Sequence, residues 1–586
     1  MSGTPFSDGI VGLGWVKAPQ EAIVIVDPYT SGRFLVEELS RRGRALIAVR
    51  SSLSIDSALL GTWNPVPFQT VVVHHGNLDE TLQVIKADGS VDAVIAGSEP
   101  GVELAEALAA ALDLRGNRPE DPRPRCRWDK YVMHEQLQAS GLRSCRQKVC
   151  RSMQEAAAFV AELGSWPAKP VVAKPRSSVG EGCFFQCRTE EDLHEAVETV
   201  LASTDAHGKP RAEVLIQEFL EGVEYVVDCV SMDGEHFVSA IWSYSKTRMD
   251  GGFAYDTSRT SQYEPDDPAQ QRLCSYIFDC LTALGVKHGA SHSEVVVSVT
   301  NPEDICLVKL GARMHGAMGP ALWAKCSSRE QAQPFLVADL YAEGGRTLRR
   351  RIADVKGGAA PYSLTRVAMQ VDLQCHAHGV LQMSVEHSSG EWLRGLKTFS
   401  AMRIFVEEGD AMIPTRDLST SPGFVILLGS DKHVDADRDA IRKRELSGQL
   451  FVLRQVSFDG LNALREKTAL ARRHAVINKP SERMRELEAE AEKLISPMAS
   501  RAASPILSPQ RAPMMPPCTG ADDDVEFMLD GADGLDDFAL DDGDGVEDLE
   551  NFALDGPDPE GGPIGLFGAG AAGRGIFGAG IAPTAT

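Results

Sequence analysis

The 586-residue sequence predicts an α/β N-terminal domain, an α+β body after it, and a disordered acidic C-terminal tail. Three observations lead to this fold class. Apolar strands alternate with amphipathic helical segments between residues 20 and 120, which is typical of a parallel sheet. From Arg127 onward, helical segments mix with strands joined by tight turns. Beyond residue 496, hydrophobic periodicity is lost and Pro, Ser, Asp and Gly accumulate.

The N-terminal domain is expected over residues 20–120. AIVIVD at 22–27 is a continuous apolar strand, RFLVEELSRRG is an amphipathic helix, and ALIAVR is the next strand. TVVVHH, LDETLQVIKAD and VDAVIAG repeat this order, and GVELAEALAAALDL follows as a further helix. Strand, helix and strand at this spacing indicate parallel units in an open sheet.

The α+β body divides into a part at 127–345 and a C-terminal subdomain at 346–460. Asp233-Gly234, between EYVVDCVSM and EHFVSAIWSY, is a strong signal for a two-residue hairpin turn. Asn301-Pro302 marks a second turn, between SEVVVSVT and ICLVKL. Residues 346–460 predict a strand, a helix and a strand, with a loop containing Gly and Pro at SPGFVILLG.

A charged helix is expected at 461–495 and a disordered tail at 496–586. Residues 521–560 hold 17 Asp or Glu and no Lys or Arg, so most of the net charge of −24 lies in the tail. The remainder is only mildly acidic, and general nucleic-acid binding is not expected. Two hypotheses for the tail stay open. Its Phe and Leu residues, set among acids, dock into a protein partner, or the tail is only a solvated segment.

Cysteine usage and hydropathy predict a cytoplasmic protein. The twelve cysteines show no zinc-binding spacing, and reduced thiols are the expected state. The first twenty residues lack the basic start and apolar block of a secretory signal. No apolar run approaches about 18 residues, so no membrane span and no membrane partner are expected.

A phosphate-covering loop is predicted after the apolar strand that ends at Lys174. Glycines let backbone N–H groups approach an anion, serine hydroxyls add donors, and the lysine supplies a point charge. The loop is not a Walker loop, because the lysine precedes the glycines. Its anion-binding candidates are Lys174, Ser177, Ser178, Gly180 and Gly182.

This loop and four further motifs together resemble the ATP-grasp superfamily. The motifs are RWDKYVMHEQL with Lys130, QEFLEGVEY, ASHSEVVVS with His292 and Glu294, and LGARMHG with Arg313. Over roughly residues 20–460 the closer resemblance is to carboxylate–amine ligases of the amino-acid ligase and carnosine-synthase type. The resemblance implies two β-rich lobes that clamp ATP between them.

The resemblance also implies roles for individual residues. Lys130 and Lys174 reach the phosphates, and Arg313 holds the transferred phosphoryl group and the acyl phosphate, a task suited to a planar fork of donors. His292 contacts substrate or is a buried structural histidine. The hinge that pairs with adenine comprises Gln217, Glu218 and Leu220. The carboxylate that binds the ribose hydroxyls is Glu224.

The metal site departs from the family pattern. Glu294 matches the first acidic magnesium ligand, but Lys309 stands where the second is usual, and Gly311 where an Asn often follows. With a tight turn at 301–302, Glu294 and Lys309 face each other across two strands as an ordinary surface ion pair. Three hypotheses compete: Mg²⁺ binds weakly through Glu294, Lys309 acts as a fixed cation in catalysis, or turnover is lost.

Two functions follow from the resemblance. The first is an ATP-dependent ligase that activates a carboxylate as an acyl phosphate for attack by an amine. It would use ATP and Mg²⁺, with one ion held weakly, and amino acids as substrates. The second is a nucleotide-binding pseudoenzyme or regulator that uses the tail as an interaction arm. A homodimer is a further expectation. A biotin-carboxylating enzyme is disfavoured, because the chain has no Met-Lys-Met segment.

Overall fold

The computed structural model describes residues 21–53, 55, 57–176, 184–204, 210–249, 252–416 and 420–454. All of them belong to one compact unit, residues 1–540, and a second unit, 541–586, lies outside them. The charged helix predicted at 461–495 and the tail predicted at 496–586 also lie outside the described residues.

The N-terminal domain is the open parallel sheet that the alternating pattern predicts. The sheet order is β3-β2-β1-β4, and all three pairings are parallel. Every residue of β1 is buried, as expected for a strand covered by helices on both faces. The elements are β1 (Ala22–Val26), α1 (Gly32–Arg41), β2 (Leu46–Arg50), α2 (Ser57–Leu60), β3 (Thr70–Val73), α3 (Leu78–Ala87), β4 (Val91–Ala96) and α4 (Val102–Ala111).

A small antiparallel sheet of order β5-β8-β6-β7 opens the second body. Helices α6 and α7 pack on one face, where Val171, Ala173 and Ile216 join their core. Because side chains alternate along a strand, Lys174 and Gln217 lie on the opposite face. The elements are α5 (Lys130–Ala139), β5 (Gln147–Cys150), α6 (Met153–Leu163), β6 (Val171–Lys174), β7 (Phe185–Cys187), α7 (Glu190–Ala202) and β8 (Val214–Glu218).

A large antiparallel sheet of order β13-β12-β9-β10-β11-β14-β18-β16 forms the second lobe. Its strands are β9 (Val223–Met232), β10 (Glu235–Met249), β11 (Gly252–Ser261), β12 (Gly289–Val297), β13 (Ile305–Gly311), β14 (Val367–Asp372), β16 (Phe399–Ile404) and β18 (Gly423–Gly429). Its helices are α8 (Pro268–Ala283), α9 (Gly319–Cys326), α10 (Gln333–Ala342), α11 (Arg346–Lys356), α12 (Glu391–Arg394) and α13 (Asp431–Leu446). A three-stranded sheet adds β15 (Gly379–Leu381), β17 (Ala411–Met412) and β19 (Leu453–Arg454).

The two predicted hairpins have different outcomes. Asp233 and Gly234 join β9 to β10 with φ of 55° and 83°, which confirms the two-residue turn. The second predicted turn is present at Asn301-Pro302 and its neighbours, but the assumption of a tight turn there is wrong, because Val297 already pairs with Ile305 and the connection spans residues 298–304. A register shift after Glu294 compensates for the longer turn. Glu294 therefore faces Lys309 after all.

The prediction of a loop at SPGFVILLG is also wrong, because GFVILLG forms the strand β18. Gly and Pro suggested a loop, but the apolar run pairs with β14 on one side and β16 on the other. The strands β14, β16 and β18 extend the large sheet from beyond residue 345. The domain boundary at 345 and 346 stays a prediction.

Ten cysteines lie within the described residues, and all ten are buried and free of disulfides. This agrees with the spacing argument against a disulfide framework. Across the described ranges, we find no helix with both the length and the apolar character needed to cross a membrane.

Candidate active site

A cavity of about 360 Å³ brings six of the predicted site residues together. Strands β10, β12, β13 and β14 of the large sheet contribute to its lining, together with Lys174 of the small sheet, and the N-terminal domain contributes Ser98 and Glu99. The cavity is lined by these predicted residues: Lys130, Lys174, His292, Glu294, Lys309 and Arg313. Residues that are far apart in the sequence therefore line one cavity.

Lys130 is held at the cavity by the capping of α5. Asp129 is the N-cap, and its Oδ1 accepts hydrogen bonds from the backbone N–H groups of Tyr131 and Val132 at 3.0 and 3.3 Å. The Lys130 N–H donates to the Arg176 carbonyl at 3.1 Å, and Arg176 Nη2 lies 2.8 Å from Asp129 Oδ2. These bonds join the start of α5 to the segment that follows β6, where Lys174 ends the strand.

Lys130 and Lys174 are buried cations in a crowded positive field. Each side chain is 7% exposed. Burial, followed by the charges of Lys309 and Lys174, lowers the pKa of Lys130 to about 7. Burial likewise lowers the pKa of Lys174, with Lys309 adding to the effect. A bound polyanion would offset both penalties, because an opposite charge favours the protonated ammonium.

Glu294 and Lys309 form the cross-strand pair that the sequence predicts, but they are not a surface ion pair. Their side chains are only 20% and 14% exposed. Glu294 Oε1 lies 3.4 Å from His292 Nε2, and the Lys309 ammonium lies 3.8 Å from Glu99 Oε2. Although burial raises the pKa of Glu294, the charges of Lys309 and His292 outweigh it and hold that pKa well below the usual value.

Glu99 is a site residue that the sequence argument missed. Arg313 binds it through Nε and Nη2, each 2.8 Å from Oε2. Burial raises the pKa of Glu99, but Lys309, Arg313 and Lys130 outweigh burial and keep this pKa below its ordinary value. Its position just after the carboxyl end of β4 was the available signal, because open parallel sheets bind ligands at that edge.

The position of the Glu99 carboxylate explains why residue 311 is a glycine. A Cβ at Gly311 would lie 2.6 Å from Glu99 Oε2 and 3.3 Å from Arg313 Nε. A larger residue there would push the carboxylate off Arg313. An acid from the N-terminal domain thus occupies the space beside the position where the family pattern has an Asn.

Behind the cavity, Asp228 holds two histidines. His292 Nδ1 and His315 Nδ1 each lie 2.8 Å from a different oxygen of Asp228, and Trp242 Nε1 donates to Oδ2 at 2.9 Å. The three residues could contact one metal ion, since their ligand atoms lie within 4.8 Å of one another. Both carboxylate oxygens already accept N–H groups, however, so Asp228 is satisfied without a metal. The sequence argument missed Asp228 as well.

The predicted adenine hinge lies beside a second cavity of about 250 Å³. Glu218 and Leu220 line it together with Val296. Gln217 is 3% exposed, and its Nε2 donates to Gln147 Oε1 at 2.9 Å. Glu224 Oε2 lies 2.8 Å from the Lys246 ammonium, and Lys246 lines the larger cavity.

Four of the predicted phosphate-loop residues, Ser177, Ser178, Gly180 and Gly182, lie outside the described residues. The flanking residues are described. Lys174, Pro175 and Phe184 all line the larger cavity.

The residues around the cavity include a carboxylate that suits Mg²⁺. Glu294 presents a carboxylate, and Mg²⁺ is commonly held by one carboxylate together with substrate phosphates and water. An ammonium, from Lys309, stands at the second ligand position, and Glu99 is engaged by Arg313.

Comparison with known proteins identifies the fold. A family model described as an ATP-grasp domain matches residues 168–320. The chain is 28% identical over 410 residues to "Dapdiamide A synthase" of Enterobacter agglomerans, covering 70% of this chain and 92% of that protein. It is also similar to the crystal structure of an L-amino acid ligase from Bacillus licheniformis, with a TM-score of 0.53 and 16% identity, covering 72% of this chain and 97% of the other.

The matched region holds Lys174, the hinge, Glu294, Lys309 and Arg313, and thus most of the residues that line the cavity. The fold similarity extends well beyond this region and covers 72% of this chain. The chain therefore carries an ATP-grasp domain at residues 168–320, and over most of its length it is similar to carboxylate–amine ligases of that superfamily.

Proposed function

We propose that this protein is an ATP-dependent ligase that forms a carbon–nitrogen bond between a carboxylate and an amine. The observation that carries the proposal is the convergence of five cationic side chains on one cavity: Lys130, Lys174, Lys246, Lys309 and Arg313. Burial, with the charges of neighbouring lysines adding to it, lowers the pKa values of Lys130 and Lys174, and a bound polyanion would stabilise both ammonium groups. A triphosphate supplies the missing charge.

ATP would lie with its adenine at the hinge and its phosphates in the larger cavity. The backbone of Glu218 to Leu220 would pair with adenine, Gln217 would reach its exocyclic amine, and Glu224 would accept from the ribose hydroxyls. The position of Glu224, beside Lys246 at the wall of the larger cavity, supports this order of groups. Ser177, Ser178, Gly180 and Gly182 would cover the phosphates.

The reaction would proceed in two steps. The substrate carboxylate attacks the γ-phosphorus of ATP, which gives an acyl phosphate and ADP. The amine then attacks the acyl carbon, the C–O bond to phosphate breaks, phosphate leaves with the bonding electrons, and one N–H proton of the amine passes to the departing phosphate. Arg313 would hold the transferred phosphoryl group, and Lys309 would neutralise charge on its oxygens as a fixed cation. His292 would contact substrate from the floor of the cavity.

One Mg²⁺ ion would supply further charge neutralisation at the phosphates, held by Glu294. The substrates proposed are amino acids, a proposal supported by the similarity in fold to an L-amino acid ligase. A homodimer and a protein partner for the acidic tail are proposed from the sequence alone.

The test is ADP release from the purified full-length protein with ATP, Mg²⁺ and all pairwise combinations of the twenty standard amino acids. We expect release with at least one pair, and a mass spectrum that contains the dipeptide. A matched calorimetric titration with ATP, with and without Mg²⁺, separates the second candidate function. ATP binding without ADP release from any pair would favour a nucleotide-binding regulator, for which the ammonium of Lys309 at a metal-ligand position is the supporting observation.

A further inference from the structure

Ligases of this kind need an uncharged amine, but amino acids carry an ammonium group at neutral pH. The second half of the proposed reaction therefore requires a group that accepts a proton from the incoming substrate. Five Lys or Arg side chains line the cavity, and they make it a poor place for a positively charged nucleophile. A group that accepts the proton and passes it away from the phosphates would free the amine for attack. It would also remove the charge that the cations of the cavity repel.

Tyr244 reaches the cavity from β10, on the same face of the large sheet as Glu294 and His292. Its hydroxyl lies 3.1 Å from His315 Nε2. His315 Nδ1 lies 2.8 Å from Asp228 Oδ2, so the imidazole donates its Nδ1 proton to the carboxylate and leaves the Nε2 lone pair for the phenol proton. The three residues form a continuous hydrogen-bonded line from the cavity to a buried carboxylate that is 1% exposed.

The surroundings of His315 fix its ring. Gln333 Oε1 accepts from the His315 backbone N–H at 2.8 Å, while its Nε2 donates to the carbonyls of Cys229 and Ser291. The ring packs against Trp242, with centroids 4.8 Å apart. A Cβ at Gly319 would lie 2.3 Å from His315 Cδ2, so only a glycine there leaves room for the ring.

We propose that Tyr244, His315 and Asp228 form a proton relay that deprotonates the substrate ammonium. This inference rests on the proposed function. An N–H bond of the ammonium breaks and its proton goes to Tyr244 Oη, while the Tyr244 proton passes to His315 Nε2. The freed lone pair of the amine forms the C–N bond, and Asp228 stabilises the resulting imidazolium. Asp228 is thus a positioning residue, because it acts through His315.

The protonation states at neutral pH agree with this direction of transfer. Burial lowers the pKa of His315, so the imidazole is neutral before the transfer, and the charge and hydrogen bond of Asp228 act in the opposite direction and favour the imidazolium once the proton arrives. Burial, with Glu294 and Asp228 adding to it, raises the pKa of Tyr244, so the phenol keeps its proton until it is passed on. The charged or titratable groups that face His315 are Asp228 from β9, Tyr244 from β10, His292 from β12 and Arg313 from its own loop.

Hydroxylamine separates this relay from the rest of the chemistry. It is uncharged at neutral pH and attacks an acyl phosphate without losing a proton beforehand. Hydroxamate formation from an amino acid, ATP and hydroxylamine therefore reports carboxylate activation alone. ADP release driven by a second amino acid reports activation together with deprotonation of the ammonium. We compare both assays for Tyr244→Phe, His315→Gln and Asp228→Asn, with Tyr263→Phe as a control that removes a phenol hydroxyl away from the cavity.

We expect Tyr244→Phe to reduce dipeptide formation at pH 7 by about 100-fold or more. Hydroxamate formation should stay close to the wild-type rate. The loss should shrink as the pH rises, because the free amino acid then loses its proton in solution. Tyr263→Phe should behave as the wild type in both assays.

Equal losses in the two assays, or no loss in either, would overturn the relay while leaving the ligase intact. A wild-type protein that yields neither hydroxamate nor ADP with any amino acid would overturn the proposed function and the relay with it. Tyr244→Phe removes a single oxygen, so it keeps the test decisive even where Asp228→Asn disturbs folding.

Discussion

Arg313 binds Glu99 through two nitrogens, Nε and Nη2, each 2.8 Å from the same carboxylate oxygen. Glu99 follows a strand of the N-terminal domain, and Arg313 follows the edge strand of the large sheet. The guanidinium proposed to hold the transferred phosphoryl group is therefore already paired in this structure. A phosphate group that binds in the cavity would therefore compete with Glu99 for Arg313.

Glu99→Gln should strengthen ATP binding. The carboxylate partly neutralises Lys309 and Arg313, and its removal leaves both charges to the phosphates. We expect a gain of about fivefold in affinity, equivalent to roughly 1 kcal/mol, in calorimetric titrations. Glu103→Gln, on the exposed surface of α4, is the matched control. Weaker ATP binding by Glu99→Gln would mean that the carboxylate positions Arg313 and does not compete with the phosphates.

Lys309→Glu should lower ADP release by about tenfold or more at 1 mM Mg²⁺, roughly the cost of losing one charge-assisted contact. The new carboxylate would stand beside Glu99 and opposite Glu294, and the three acids would repel the phosphates. Raising the Mg²⁺ concentration should recover part of the loss. A turnover above that of the wild type would show instead that the lysine is a defect at a former metal site.

Lys174→Ala should weaken ATP binding by about 10- to 100-fold, because a buried charge-assisted contact to phosphate is lost. Lys148→Ala is the matched control, since Lys148 is exposed on β5 of the same sheet. Unchanged affinity in Lys174→Ala, with a normal thermal unfolding curve, would contradict the placement of the phosphates.

ATP affinity should fall as the pH rises above about 7. Burial and the neighbouring lysines lower the pKa of Lys130 to about 7, so above this pH the ligand-free protein holds the amine uncharged. Bound phosphates restore the charge, and binding then takes up a proton. Titrations in buffers of different ionisation enthalpy measure that uptake. In Lys130→Arg the side chain stays charged, so this variant should bind ATP without taking up a proton. The same proton uptake in this variant would assign the proton to another group.

Glu106→Gln should destabilise the protein by about 3 kcal/mol. Glu106 accepts from Arg127 Nε and Nη2 at 2.6 Å each, and the Arg127 side chain is fully buried. The substitution leaves that guanidinium without its counterion and loosens α4 of the N-terminal domain from the start of the second body. Chemical denaturation of Glu106→Gln beside Glu103→Gln provides the measurement, and equal midpoints would contradict the argument.

The sequence by itself determined the strands and helices whose periodicity is local. The parallel N-terminal sheet, the hairpin at Asp233-Gly234 and the motifs around Lys130, Lys174 and Arg313 were all predictable, because each depends on neighbouring residues or on an ordered set of motifs. The strand β18 was not, since Gly and Pro at its start resemble a loop until two partner strands are present.

Tertiary structure alone decided how the charges at the cavity are paired. Glu99 lies about 210 positions before Arg313 in the chain, and no local pattern indicates that the two meet. The Glu294–Lys309 pairing was predicted from a tight turn, but it results from a longer connection and a register shift. The line from Tyr244 through His315 to Asp228 likewise joins three segments. Pairwise electrostatics depends on distance in space, which the chain acquires only when distant strands pack together.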